Sequence, residues 1–156
     1  MKERGEGEET TSFSLQPHAN SWLRVGLGVL AVMSAVIGGW AFVAPMAFFT
    51  AFPGLGHTWV ILLPPYNEHL VRDVGEFNLS FAMLFVWAAM RPERRMVRAI
   101  LAAYLVYAVP HLIYHATHMM QFPTGDAVAQ VFALTFAVLL PLILLAAMWL
   151  APRTAI

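Results

Sequence analysis

His111, His115 and His118 stand at i, i+4 and i+7 in VPHLIYHATHM, a stretch otherwise apolar enough to cross a membrane. On a helix this spacing puts three imidazoles on one face. Such a face can ligate a divalent cation, relay a proton or hold a polar ligand. A second stripe lies earlier in the chain, in NEHLVRDVGEFNLS. There His69, Arg72, Asp73, Glu76 and Ser80 follow helical spacing and share a face, and Asn78 points elsewhere.

The two stripes differ in charge. Glu68, Asp73 and Glu76 are negative, and Arg72 alone is positive. A charge inside a bilayer costs at least ~2.5–3.5 kcal/mol on insertion scales unless it is paired. A protonated carboxylate, an imidazolium or a bound cation would each meet the deficit. Every one of these routes predicts a buried, coupled, pH-sensitive network.

Four apolar segments have the ~20 residues needed to carry a helix across about 30 Å of hydrocarbon. They run Trp22–Phe49, Leu70–Met90, Val97–Met119 and Ala127–Leu150. The expected fold is therefore all-α, a four-transmembrane-helix bundle over residues 21–152, preceded by a disordered acidic tail over residues 1–20. The long acidic start and the length of the first apolar run fit a retained anchor helix rather than a cleaved signal peptide. The second and third spans are antiparallel and joined by a short turn. The start of one therefore lies beside the end of the other, which brings the acidic and histidine stripes to one depth. The long connection Thr50–His69 contains TWVILL, too short to span, and is expected to fold over the bundle or lie at the interface.

Arg24, Arg91, Arg94, Arg95, Arg98 and Arg153, with Lys2 and Arg4, all fall on one side of this arrangement, and Arg72 is the exception. The positive-inside rule then puts both termini in the cytoplasm, with the His/carboxylate site facing outward. Trp22, Trp87 and Trp149 sit near the inner boundary, where indoles anchor. Ser34-Ala35 and Gly38-Gly39 form small-xxx-small pairs, and Gly75 offers a further point of close helix approach. Pro45, Pro110 and Pro141 should kink the first, third and fourth spans and help open a cavity.

Composition narrows the chemistry. The chain is 60% hydrophobic and 12% charged, with zero formal net charge and no cysteine. Thiolate chemistry and disulfide exchange are excluded, and no basic patch suggests nucleic acid. A metal site would use Asp73, Glu76, His111 and His115, a set suited to Zn, Fe or Mn, with His69 as a further donor. A haem b would need facing ligands such as His69 and His115, and haem is not expected. The remaining reading is a pocket for a proton or a small, quinone-like ligand. Its aromatic flanks would be Tyr66, Phe77, Tyr107 and Tyr114, with His118 at the mouth. Alternatives are an accessory subunit whose buried polar groups lock two helices together, and an enzyme using a His/carboxylate pair as general base. The expected partners are lipid and either other membrane subunits or further copies of the chain. His57 reads as a solvated loop residue.

The run LRVGLGVLAVMSAVIGGWAFVAPMAFFTAFPG, the Arg72-Asp73-Val74-Gly75 opening of the second span and the RPERR turn together resemble the DoxX-like superfamily of small four-helix bacterial membrane proteins. The resemblance covers most of residues 22–120. It implies a four-helix bundle in a bacterial inner membrane, and association with quinone-linked oxidoreductases for some members. It implies no catalytic residues.

Overall fold

Long apolar runs leave a backbone few ways to satisfy its N–H and C=O groups away from water, and the helix satisfies them within the segment. The computed structural model describes residues 21–63 and 65–150, and helices dominate it. The acidic tail and Arg153 lie outside the described residues. Helix α1 spans Ser21–Val43, α2 Pro45–Ala51, α3 Glu68–Met90, α4 Arg94–Thr117 and α5 Thr124–Leu150. Strands β1 (Pro53–Gly54) and β2 (His57–Thr58) make a small antiparallel hairpin between α2 and α3. Gly54 and Gly56 take positive φ in its turn, a region glycine enters without steric cost.

Three helices, α1, α4 and α5, are long and apolar enough to cross a membrane. Helix α3 has similar length but falls outside that group, because Glu68, His69, Arg72, Asp73 and Glu76 crowd its first third. Its start is well capped: the Asn67 side chain accepts from the Leu70 amide at 3.2 Å.

Pro45 does more than kink the first apolar segment. Ala44 leaves helical geometry (φ −133°, ψ 65°), and Pro45 restarts the chain as the first residue of α2. The segment expected as one kinked span over residues 22–49 is therefore two helices. Pro110 and Pro141, by contrast, remain inside unbroken α4 and α5.

Helices α1 and α3 cross closely through two glycines. A methyl group on Gly38 would stand 2.8 Å from the Gly75 carbonyl oxygen, and one on Gly75 would stand 2.7 Å from the Phe42 nitrogen. Small residues permit such approach where no hydrophobic force draws helices together. The crossing fixes the rotation of α3. Gly75, Asn78, Phe81, Ala82 and Phe85 turn inward.

The solid core occupies the end of the bundle where α1 and α4 begin and α3 and α5 finish. Leu23, Leu27, Leu30, Phe85, Leu101 and Met148 are all fully buried there. Arginines of α4 close this end. Arg94 donates to the Met148 carbonyl at 2.7 Å, and the Arg98 guanidinium lies 4.4 Å from the centre of the Trp149 ring. Cations so placed satisfy the last carbonyls of α5 and oppose its negative dipole end.

Candidate functional site

Above the solid core the helices separate around a cavity of about 280 Å³. Its wall is mostly apolar, and the polar groups on it are Ser34 of α1, Asn67 just before α3, Asn78 of α3, Tyr104, Tyr107, His111 and His115 of α4, and Gln130 of α5, with the Trp59 indole in the roof. The segment after α2 forms its roof, through Phe52, Trp59, Val60, Leu63 and Pro65. TWVILL therefore folds over the bundle.

The α4 face follows from periodicity. Tyr104, Tyr107, His111 and His115 recur at three and four residues and stack along one stripe. Tyr107 and His111 lie nearly parallel with centroids 5.1 Å apart, and His111 meets His115 edge-on at 4.5 Å. Tyr104 packs edge-on against Phe81 and Phe85, tying the stripe to the core. His115 is buried, and its Nδ1 lies 3.1 Å from Oε1 of buried Gln130. An amide oxygen only accepts, so Nδ1 carries the proton. The Asn78 amide donates to the Val74 carbonyl at 2.9 Å.

The acidic stripe does not meet the histidines. At 100° per residue, Asp73, Glu76 and His69 lie roughly 140–180° round α3 from Asn78. With Gly75 turned toward Gly38, they point out of the bundle, and all three are exposed or nearly half-exposed. Asn78, expected to point elsewhere, is buried and is the polar residue of α3 itself that lines the cavity. The single coupled network expected from the charge count resolves into local pairs. Asp73 pairs with His69 at 3.3 Å, and Arg72 pairs with Glu68 at 2.9 Å. Arg72 also donates to the Phe42 carbonyl, an orphan acceptor at the end of α1, so its main contact is the α1 terminus rather than Asp73. Exposed pairs of this kind contribute about 0–1 kcal/mol. Among the described residues no three His, Asp or Glu side chains converge, so Asp73, Glu76, His111 and His115 are not one donor set in this geometry.

His118 is exposed at the end of α4, where it stacks on Tyr114 at 4.2 Å and bonds the Tyr114 carbonyl. Both residues lie off the cavity wall. Tyr66 packs on Phe49, and Phe77 on Tyr107.

His57 has a definite partner. Its Nδ1 lies 2.6 Å from Asp126 Oδ1, and the Trp59 indole donates to the same oxygen at 3.3 Å. Asp126 sits in the first turn of α5, where a negative charge is favoured by the helix dipole. One carboxylate thus fastens the roof to the bundle. Sequence reasoning missed Gln130, Asn78 as a lining group, Ser34 and this clasp. Gln130 carried the clearest signal, as the one side-chain amide in α5.

No family model, curated protein or solved structure matches this chain.

Proposed function

We propose that this chain is a small integral membrane protein that binds a small, uncharged, largely apolar molecule in the cavity between its helices. The observation that carries the reading is the cavity itself. It has ligand-pocket character, an apolar and aromatic wall with a few convergent polar groups. Of the occupants the histidines suggested, a cation would bring charge that a neutral His111/His115 pair does not balance. The cavity wall carries neither Asp nor Glu, which favours the neutral ligand. The ligand-contacting set is then Tyr107, His111, His115, Asn78 and Gln130.

The proposal includes a setting. Four helices span a bacterial inner membrane, with both termini in the cytoplasm and the roofed cavity in the outer half. Arg24, Arg91, Arg94, Arg95 and Arg98 cluster at the other end, as the positive-inside rule requires. A DoxX-like affiliation belongs to the proposal and rests on the motifs of α1, Arg72–Gly75 and the RPERR turn.

A titration of purified protein with propylbenzene, beside an Ala137→Phe variant, tests the binding claim. Ala137 lines the cavity, and the larger ring should fill it. Saturable binding lost in the variant supports the reading. Equal uptake by both proteins places the hydrocarbon in the detergent or at the protein surface, and refutes it.

One observation favours a second role. The Asp73–Glu76–Ser80 face of α3 points outward beside apolar surface such as Phe77 and Met83. A polar face at membrane depth fits contact with another membrane subunit or a second copy of the chain. Cross-linking from a cysteine at Ser80 in native membranes tests this. A specific adduct supports the subunit role, and exclusive labelling by lipid-phase reagents refutes it.

A further inference from the structure

The hydrogen bonding of the cavity's polar groups states what an occupant must offer. Gln130 Oε1 takes the proton on His115 Nδ1, so Nε2 of the neutral ring is an acceptor. No hydrogen bond among the described residues engages that atom, and His115 lines the cavity. A ligand that meets His115 must therefore bring a donor. One presenting only carbonyl oxygens would set acceptor against acceptor and leave both unpaired, which is costly in a dry site.

Charge is restricted as strongly. No Asp, Glu, Lys or Arg lines the cavity among the described residues, so a carboxylate or ammonium would lose its hydration without a counter-ion. Shape and wall chemistry limit the rest. Phe48, Phe49, Phe52, Trp59, Tyr104 and Tyr107 surround the space with rings, which pack favourably on another ring at offset or edge-on geometry. An apolar cavity of about 150 Å³ accommodates benzene. At about 280 Å³, this one has room for a ring and a short tail.

We propose that the ligand is a neutral, phenol-type molecule, one aromatic ring with a short apolar substituent, whose hydroxyl donates to Nε2 of His115. The inference rests on the reading of the cavity as a ligand site and adds the chemical class. His111, stacked on Tyr107, forms part of the flat wall against which the ring lies.

Calorimetric titration of the full chain in detergent with four probes separates the two claims. The probes are propylbenzene, 4-propylphenol, 4-propylanisole and 4-propylbenzoate. The expected result is 4-propylphenol binding about tenfold more tightly than its methyl ether, the effect of one net hydrogen bond. The benzoate should not bind measurably. His115→Leu should abolish the preference while propylbenzene still binds, which also shows that the variant keeps its cavity. Gln130→Leu is a second test that keeps the histidine. It frees the ring to place its proton on either nitrogen and should shrink the preference. Phenol and ether binding within twofold of each other would overturn the proposal and leave the cavity reading standing. So would a tenfold preference that survives His115→Leu, whereas tightest binding by the benzoate would overturn the uncharged-ligand reading as well. Failure of all four probes, propylbenzene included, would overturn both.

Discussion

Adjacent glycines in α1 give the sharpest test of how the bundle is assembled. A methyl group added at Gly38 would stand 2.8 Å from two backbone atoms of α3, Gly75 O and Leu79 N, and 3.0 Å from Asn78 Cβ. Ordinary contact at such positions begins near 3.4 Å. The helices must then part by about half an ångström, because the opposing atoms are backbone and cannot rotate away. Overpacking of this kind costs about 1–3 kcal/mol. The methyl returns about 0.5–1 kcal/mol by restricting the unfolded chain, so Gly38→Ala should destabilise by roughly 0–2.5 kcal/mol. Gly39 is its control. Nothing lies within 4 Å of a methyl group there, so Gly39→Ala should be neutral or stabilising by up to about 1 kcal/mol. The predicted gap between neighbouring variants is about 1–3 kcal/mol, read from reversible unfolding in mixed detergent micelles. Gly38 also touches Asn78, so Gly38→Ala should weaken propylbenzene binding and Gly39→Ala should not. Equal stability of the two variants would refute the close crossing, and with it the rotation of α3 that sends Asp73 and Glu76 outward.

Three further outcomes are expected. Asp126→Asn weakens the acceptor shared by His57 and Trp59, and hydrogen exchange in residues 57–63 should rise several-fold while α4 and α5 keep their protection. Arg72→Met removes both the Glu68 pair and the donor to the Phe42 carbonyl, and should cost about 1–3 kcal/mol in the same micelle assay. A cost near zero would mean that the α1 terminus finds another donor. The chain has no native cysteine, so Gly125→Cys and Glu93→Cys can each be labelled alone. A membrane-impermeant maleimide applied from outside should modify the first and not the second, and the opposite pattern would invert the proposed orientation.

Helical periodicity made one wall of the cavity legible in the sequence. Tyr107, His111 and His115 recur at helical spacing on an apolar segment, and the structure keeps them on one stripe. The turned-in face of α3 was not legible in the same way. Its charges suggested the interior because lipid excludes them, but a helix rotates to suit its tightest contact, and here that contact is Gly38 on Gly75. Gly75 was visible as a point of close approach, and taking it as the marker of the inner face would have turned Asn78 toward the cavity. The roof could be placed only coarsely, since His57 and Asp126 are 69 residues apart and neither carries local patterning. Gln130 was readable. A lone amide in so apolar a helix needs a partner, and the histidine stripe offered one, which the structure gives as His115.

The central claim is that a small molecule occupies the space beside His111 and His115, and the chain supplies its own controls. Five histidines lie among the described residues: two line the cavity, and His57, His69 and His118 do not. The most direct measurement is a nuclear magnetic resonance titration of histidine-labelled protein with 4-propylphenol. The account predicts that the His111 and His115 ring signals shift together and saturate at one equivalent, and that His57, His69 and His118 stay in place. Shifts centred on His69 or His118, or none at His111 and His115, would contradict it.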